Sequence, residues 1–355
     1  MKVFVIAEAG VNHNGSLDMA LRLVDVAVEA GADAVKFQTF TAERVISKHA
    51  SKADYQKKTT DASESQLEMA RRLEMDHKDH LALKARCAER GILFLSSPFD
   101  EPSVDLLSRV LGLETLKIPS GEITNAPLLL RAARTGCTII LSTGMSTLGE
   151  IEDALGVLAF GYSGEKAPSR EAFRAAFFSE KGQALLKRKV TLLHCTTEYP
   201  APFCEVNLNA IGTLHRAFGL PVGYSDHTNG IAIPIAAVAL GARVIEKHFT
   251  LDRTLSGPDH KASLEPCDLA TMIRSIREVE VSLGNGKKIP SPSELKNMSI
   301  ARKSLVAAED IKAGSLLTQG NMTSKRPGDG LSPFFFWDFL DTNATNDFLK
   351  DEKLY

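Results

Sequence analysis

The chain has 355 residues, 44% of them hydrophobic and 24% charged, which suits a globular protein with one large domain and a smaller one. The net charge of −2 gives no electrostatic reason to expect nucleic acid or an anionic membrane as a partner, and no apolar stretch approaches the ~20 residues that span a bilayer. The five cysteines are scattered and lack CxxC spacing, which predicts a reducing cytoplasm and neither a disulfide framework nor structural zinc.

Strand-like and helix-like segments alternate along most of the chain. A β-prone run at Val3–Ile6 precedes a helix over Leu17–Ala30, and Ala34–Gln38 begins the next unit. The alternation continues to an eighth strand at Arg243–Ile245 and its helix at Leu269–Leu283. The other predicted strands are Ile92–Leu95, Thr115–Ile118, Thr138–Leu141, Val190–Leu193 and Pro221–Gly223, and the other helices Leu81–Glu89, Pro102–Leu111, Ala126–Thr135, Leu148–Leu158, Leu208–Phe218 and Ile231–Leu240.

Eight strand–helix units in about 285 residues predict an α/β protein with a closed (β/α)₈ TIM barrel. An open doubly wound sheet is the alternative, but the GxGxxG that usually follows its first strand is absent.

Two segments interrupt the alternation of strands and helices. Arg44–Leu67 is polar and lies where a mobile lid could cover the barrel, and Arg170–Lys187 has the pattern of one extra amphipathic helix.

Turn formers and helix breakers are dense between Gly284 and Pro292, which predicts a domain boundary. We therefore expect a catalytic barrel over residues 1–284, a linker over 285–296 and a small β-rich domain over 297–355. Short strands are predicted in the small domain at Leu305–Ala307, Asp310–Ile311, Gly314–Leu317 and Met322–Lys325.

Two lysines lie within the predicted strands near their carboxyl ends, where barrel enzymes hold their active sites. Lys36 and Lys117 stand in apolar runs, and burying an unpaired charge there is costly. Either lysine alone is explained by an ion pair or a snorkelling side chain. Together with Ser97, Ser120 and Ser142 at other strand ends, they provide the cations and short donors that a phosphate needs.

Two histidines end the seventh and eighth strands. His227 and His248 taken singly are more often hydrogen-bonded core residues, but on adjacent strand ends they form a candidate site for Mn²⁺, Zn²⁺ or a similar ion. Two protein ligands leave open coordination positions, which suits a catalytic metal. His13 and His194 are weaker candidates that turn capping or packing explains.

Three acidic residues are candidates for acid–base chemistry. Glu8 and Glu122 follow the first and fourth strands, where each could instead pair with a lysine, and the sequence leaves both interpretations open. Asp259 lies in a charged loop after the eighth strand, which is either solvated or part of the site beside the predicted metal.

The motifs together resemble the sialic acid synthase family over nearly the whole chain. The matching segments are Ala7–Gly15, Val35–Thr39, Ser97–Phe99, Leu116–Glu122, Leu141–Met145, His194–Pro200, Tyr224–Thr228, Glu246–Phe249, Gly257–Asp259 and Lys325–Gly328. Within that family, Thr196–Pro202 and Ser256–Ser263 look most like the legionaminic acid synthase branch.

The resemblance implies a barrel followed by an antifreeze-like (SAF) domain in a homodimer, with the SAF domain of one subunit over the barrel of the other. It implies condensation of phosphoenolpyruvate with an open-chain N-acylated mannose-type sugar: C3 attacks the aldehyde, water adds at C2, and the C–O bond breaks to release phosphate.

The resemblance also implies site residues, and phosphoenolpyruvate would contact Lys36, Ser97, Lys117, Ser120, Ser142 and Thr197. Mn²⁺ or Mg²⁺ would bind His227 and His248. The sugar would contact Glu8, Gln38, Glu122, Tyr199, Asp259 and, from the partner, the residue equivalent to Arg326, with Glu8 and Asp259 as acid–base groups.

Three functions follow from these features. The first is a synthase that converts 2,4-diacetamido-2,4,6-trideoxymannose to N,N'-diacetyllegionaminate. The second is the same chemistry on N-acetylmannosamine to give N-acetylneuraminate. The third is a non-catalytic protein whose antifreeze-like tail binds ice or another surface, although the chain lacks the regular Thr-rich repeat of a flat ice-binding face.

Overall fold

A computed structural model describes residues 2–53, 56–57, 60–61 and 63–355. The chain divides between Gly284 and Asn285 into two compact units. The predicted lid, Arg44–Leu67, lies partly outside the described residues. No helix in the described ranges is long and apolar enough to cross a membrane.

In the described part of the first unit, eight parallel strands form one sheet in the order β3-β2-β1-β8-β7-β6-β5-β4, and β3 also packs beside β4, which closes a barrel. The predicted (β/α)₈ architecture is therefore confirmed. The strands are β1 (Phe4–Gly10), β2 (Ala34–Thr39), β3 (Leu93–Pro98), β4 (Thr115–Ile118), β5 (Thr138–Ser142), β6 (Val190–Cys195), β7 (Val222–Asp226) and β8 (Val244–His248).

Helices follow these strands along the chain. Ser16 accepts a hydrogen bond from the Met19 amide and caps the first helix, as its sequence position predicts. The helices of this unit are α1 (Leu17–Glu29), α2 (Ala42–Val45), α3 (Gln66–Leu73), α4 (His77–Arg90), α5 (Glu101–Asp105), α6 (Ala126–Arg134), α7 (Leu148–Ser163), α8 (Arg170–Phe178), α9 (Glu180–Lys189), α10 (Asn209–Phe218), α11 (Ala232–Ala239) and α12 (Pro266–Ser282).

The expected single helix over Arg170–Lys187 is wrong, because Ser179 divides it into α8 and α9. Ser179 has extended backbone dihedrals, and its hydroxyl accepts a hydrogen bond from the Gly182 amide, which caps the second helix. A Cβ on Gly182 would lie 1.9 Å from the Ala176 carbonyl oxygen, so the corner needs a glycine. The predicted helix Pro102–Leu111 likewise becomes α5 and a π-helical turn at Leu106–Val110.

Alternate strand residues divide between two apolar cores. Ile6, Leu95 and Leu193 belong to a small core inside the barrel, while Phe37 belongs to the large core between strands and helices. The parallel register places Glu8 opposite Lys36 of β2 on one side and opposite His248 of β8 on the other. Three candidate functional residues thus lie side by side on neighbouring strands.

The second unit begins with helix α13 (Pro292–Ala301), which occupies part of the predicted linker. It continues with an antiparallel pair, β9 (Ser304–Ala307) and β10 (Met322–Lys325), and a short helix α14 (Phe336–Phe339). The strands predicted at Asp310–Ile311 and Gly314–Leu317 are wrong as regular strands. Each contributes only an isolated bridge, from Ile311 to Phe348 and from Leu316 to Asn343.

Candidate active site

A cavity of about 650 Å³ opens at the carboxyl ends of the barrel strands. Its volume lies within the usual range of small-molecule sites. The predicted site residues of the first unit all line it: Glu8, Lys36, Gln38, Ser97, Lys117, Ser120, Glu122, Ser142, Thr197, Tyr199, His227, His248 and Asp259. The tertiary structure therefore brings these side chains into one chamber.

Two lysines and two glutamates form a buried charge cluster at the bottom of the cavity. Lys36 Nζ lies 2.8 Å from Glu8 Oε2 and 3.6 Å from Glu246 Oε2, and Lys117 Nζ lies 3.3 Å from Glu246 Oε1. The Ser225 hydroxyl donates to Glu246 at 2.8 Å. Glu246 thus compensates both lysines, in keeping with the rule that buried charges are paired.

The two glutamates of this cluster differ in acidity. Burial raises the pKa of Glu8 to about 7, because the nearby Lys36 offsets only part of the desolvation. Burial would also raise the pKa of Glu246, but Lys117 and Lys36 outweigh it and lower this pKa to about 2. Glu246 is therefore a permanent anion, whereas Glu8 can gain or lose a proton near neutral pH.

The two lysines of the cluster also differ in the direction of their pKa shifts. Burial opposes the charge on Lys36, but Glu246 and Glu8 together raise its pKa above the ordinary value. For Lys117, burial dominates and lowers the pKa despite Glu246. Lys36 therefore has the more strongly compensated charge of the two.

Small hydroxyl side chains surround the lysines. Lys36 donates to Ser97 Oγ at 3.1 Å, and the Gly144 amide donates to Ser120 Oγ at 3.0 Å. Ser142 Oγ is buried without a hydrogen-bond partner among the described residues. A Cβ on Gly144 would lie 2.5 Å from Thr197 Oγ1, so a larger residue here would displace the surrounding side chains. The two lysine cations, the serine hydroxyls and the glycine turn together form a donor set of the kind that binds phosphate groups.

The rings of His227 and His248 lie side by side, with centroids 5.5 Å apart. His227 donates its Nδ1 proton to the Thr196 carbonyl oxygen at 2.6 Å, which leaves its Nε2 with a lone pair. His248 Nδ1 is buried without a hydrogen-bond partner in the described structure. Burial lowers the pKa of both histidines, so both are neutral and can act as ligands.

No group of three His, Cys, Asp or Glu side chains in the described ranges is arranged to hold an ion. A divalent metal at these two imidazoles would therefore need water or substrate oxygens to complete its coordination.

Tyr199 and Asp259 lie against this histidine pair. The Tyr199 ring centroid is 4.3 Å from that of His227, and Asp259 Oδ2 is 3.7 Å from His248 Nδ1. Burial raises the pKa of Asp259 to about 6. Asp259 is thus a buried acid beside the histidines, and the alternative of a solvated loop is wrong for this residue.

Glu122 lies elsewhere in the same cavity, and its carboxylate accepts a hydrogen bond from the Asn125 amide at 2.6 Å. Burial raises its pKa. The sequence allowed a pair with Lys117, but the salt-bridge partner of that lysine is Glu246. Glu122 is therefore a half-buried acid apart from the charge cluster.

Several polar residues near the site have structural roles. Asp226 accepts from Lys247 at 2.5 Å and from Tyr224 at 3.0 Å, so its carboxylate serves buried packing on the outer side of the barrel. His13 Nδ1 accepts from the Gly15 amide, and His194 Nε2 bonds the Val206 carbonyl oxygen. The prediction that turn capping or packing explains these two histidines is consistent with these contacts.

Sequence reasoning undervalued Glu246 and missed Ser225. The alternation that put Lys36 and Gln38 on one face also places Glu246 and His248 inside the cavity, and this signal was available from the sequence. The pairing of Glu246 with two lysines from other strands could not be predicted from the sequence, because it depends on closure of the barrel. Arg326 belongs to the second unit, where its Nε donates to the Ala301 carbonyl oxygen at 3.0 Å.

The chain is similar to several known proteins. The chain is 53% identical to N,N'-diacetyllegionaminic acid synthase of Campylobacter jejuni, over 99% of this chain and 98% of that protein. It is 44% identical to the Legionella pneumophila protein of the same name, over 94% and 88%. The crystal structure of N-acetylneuraminic acid (sialic acid) synthetase from Leptospira borgpetersenii, in complex with citrate, superposes with a TM-score of 0.69 at 37% identity, covering 84% of this chain and 90% of that one.

Family models match two parts of the chain. The NeuB family model matches residues 23–288, and the SAF domain model matches residues 302–342. The first match covers the barrel from α1 onward, and the second lies in the small unit. The chain therefore belongs to the NeuB family, with a SAF domain after its catalytic barrel.

Proposed function

We propose that this protein condenses phosphoenolpyruvate with 2,4-diacetamido-2,4,6-trideoxymannose to give N,N'-diacetyllegionaminate and phosphate. The observation that carries the proposal is the composition of one cavity. A phosphate-type donor set at Lys36 and Lys117 lies within the same chamber as the His227–His248 pair. Two relatives named as synthases of this product, at 53% and 44% identity, support the choice of substrate.

At one end, Lys36 and Lys117 bind the phosphate of phosphoenolpyruvate, and Ser97, Ser120 and Ser142 donate to its oxygens. Thr197 lies beside the Gly144 turn and extends this donor set. Fixed cations stabilise the charge that develops as the C–O bond breaks and phosphate leaves. Because Glu246 is paired with both lysines, the phosphate competes with this carboxylate for cations that are held in place.

At the other end, Glu8, Gln38, Glu122, Tyr199 and Asp259 surround the sugar. When C3 of phosphoenolpyruvate bonds to the aldehyde carbon, the aldehyde oxygen takes a proton and becomes a hydroxyl. When water adds at C2, it loses a proton. Glu8 and Asp259, with pKa values raised to about 7 and about 6, exist in both protonation states near neutral pH and can supply and accept these protons.

His227 and His248 would hold Mn²⁺ or Mg²⁺. When bound, the metal supplies Lewis acidity that polarises the aldehyde oxygen. The chain itself keeps both rings neutral by burial, and the Thr196 carbonyl oxygen orients His227.

N-acetylmannosamine is the second candidate substrate, which would make the protein an N-acetylneuraminate synthase. The likeness to the Leptospira borgpetersenii sialic acid synthetase supports it, at 37% identity. The two legionaminic relatives match at higher identity, so we place the diacetamido sugar first.

We further propose a cytoplasmic homodimer in which Arg326 of one subunit contacts the sugar in the partner's barrel. Five free cysteines agree with a reducing compartment.

The proposed reaction is tested by incubating the protein and Mn²⁺ with phosphoenolpyruvate and each sugar. Phosphate release is measured, and the product is identified by mass spectrometry. We expect the mass of N,N'-diacetyllegionaminate, and the absence of phosphate release with either sugar would refute the proposal.

A further inference from the structure

We propose that an apolar wall of the cavity is the subsite for the second N-acyl group of the sugar. The wall consists of Val11, Val45, Ile46, Met69 and Leu73. This inference rests on the proposed function and deepens it, because it names the part of the chain that selects a diacylated sugar over a monoacylated one.

The wall is an ordered feature with its own packing. Val11, Met69 and Leu73 form a small buried cluster against Phe40, separate from the two barrel cores. Phe40 in turn meets Phe99 edge to face, with ring centroids 6.0 Å apart. The wall is therefore held in place by packing behind it, which allows it to distinguish substituents of different shape.

Its position follows from the order of the chain. Val11 comes three residues after Glu8, and Phe40 comes two residues after Gln38, so the wall continues the sugar end of the cavity. The remaining wall residues come from α2, its C-cap residue Ile46, and α3, which follow β2. Of the proposed phosphate-binding residues, Ser120 follows β4 and Ser142 ends β5, in another part of the barrel, while Lys36 lies on β2 itself.

The segment that carries most of the wall also adds the polar residues Ser47, Gln56 and Gln66 to the cavity lining. Gln66, the first residue of α3, lines the same cavity, and in the described ranges its carboxamide has no hydrogen-bond partner. An apolar surface beside a free carboxamide matches the chemistry of an N-acyl group, which combines a methyl with an amide. A hydroxyl in the same place would leave the apolar side chains without a partner.

The expected selectivity is moderate. An added methyl group in an apolar pocket discriminates substrates by about 10–200-fold. We therefore expect the wild-type protein to prefer, by at least about tenfold in kcat/KM, a sugar with acetamido groups at C2 and C4 over the sugar with a hydroxyl at C4.

Two wall variants test the inference. Val45→Asn changes an exposed side chain, and Met69→Gln keeps the chain length of a buried one. Each should lower kcat/KM for the diacetamido sugar by about tenfold, while the value for the monoacetamido sugar and the KM for phosphoenolpyruvate stay within about twofold of wild type. Leu81→Asn, on an exposed position of α4 outside the cavity, is the matched control.

Equal losses on both sugars, or no loss on either, would overturn the subsite. Calorimetric titration of the diacetamido sugar into each variant, without phosphoenolpyruvate, gives a second readout that does not need turnover. If wild type releases no phosphate with any sugar, the proposed function fails. The subsite then stands only if the sugar binds wild type and binds both wall variants about tenfold more weakly.

Discussion

Lys36 Nζ lies 2.8 Å from Oε2 of Glu8, and both side chains are buried where β1 and β2 meet. This pair joins the lysine that we propose binds phosphate to the glutamate that we propose moves protons. The lysine keeps part of the glutamate ionised, while burial opposes ionisation, and the outcome is an acid with a pKa of about 7.

Glu8→Gln should lower kcat by about 100-fold or more, because general acid–base catalysis contributes about 10²–10⁴-fold. The KM for phosphoenolpyruvate should change little, since Lys36 and Lys117 remain. Steady-state phosphate release measures both parameters. Glu43→Gln, on an exposed position of α2, is the control. A variant with wild-type kcat would exclude Glu8 from proton transfer.

The same residue predicts a pH dependence of stability. The folded protein holds a proton on Glu8 up to about pH 7, whereas the unfolded chain releases it near 4.5. The folded state binds more protons in that window, so this group stabilises the fold at the lower pH and loses the effect as the pH rises. As the pH rises from 4.5 to about 7, the unfolding free energy of wild type should therefore fall relative to that of Glu8→Gln. Urea unfolding at several pH values measures it, and a difference independent of pH would contradict it.

Glu246→Gln should destabilise the protein by about 3–5 kcal/mol, because it leaves Lys36 and Lys117 short of a buried counter-charge. Inorganic phosphate should then raise the Tm of the variant more than that of wild type, since the anion replaces the missing charge. Thermal melting with and without phosphate checks both effects. Equal phosphate shifts in the two proteins would argue against anion binding at these lysines.

His227→Ala and His248→Ala should each lower Mn²⁺ affinity by at least ~100-fold and abolish turnover, because changes merely behind a metal ligand already cost about 10–100-fold. Titration of Mn²⁺ followed by paramagnetic resonance gives the affinity directly. His77→Ala changes an exposed histidine at the start of α4 and should behave as wild type. Full activity of the double variant would end the metal assignment.

The proposed exchange of SAF domains between subunits predicts complementation. Arg326→Ala and His227→Ala should each be inactive alone. Mixing equal amounts under conditions that allow subunit exchange should restore up to about a quarter of wild-type activity per active site. Random exchange makes about half of the dimers heterodimers, and one of the two composite sites in each heterodimer is intact. Phosphate release before and after mixing tests this. A stable monomer in sedimentation analysis, or no recovery after proven exchange, would contradict it.

Much of this architecture is readable in the sequence. Side chains alternate along a strand, which places Lys36 and Gln38 on one face of β2, and both line the cavity together with His248. The break at Ser179 was not predicted, since helical periodicity runs through it, and hydrogen bonding to Gly182 decides the corner.

The amino-acid order alone determined the barrel, because alternating apolar runs and amphipathic segments leave a parallel sheet few ways to bury both faces. It also placed the lysines and histidines near strand ends, since they stand late in the apolar runs or shortly after them. Only the tertiary structure decided that Glu246 neutralises two lysines and that Met69 and Leu73 wall the same cavity. Those contacts join residues far apart in the chain, and their energies depend on distance and burial, which exist only once the barrel closes.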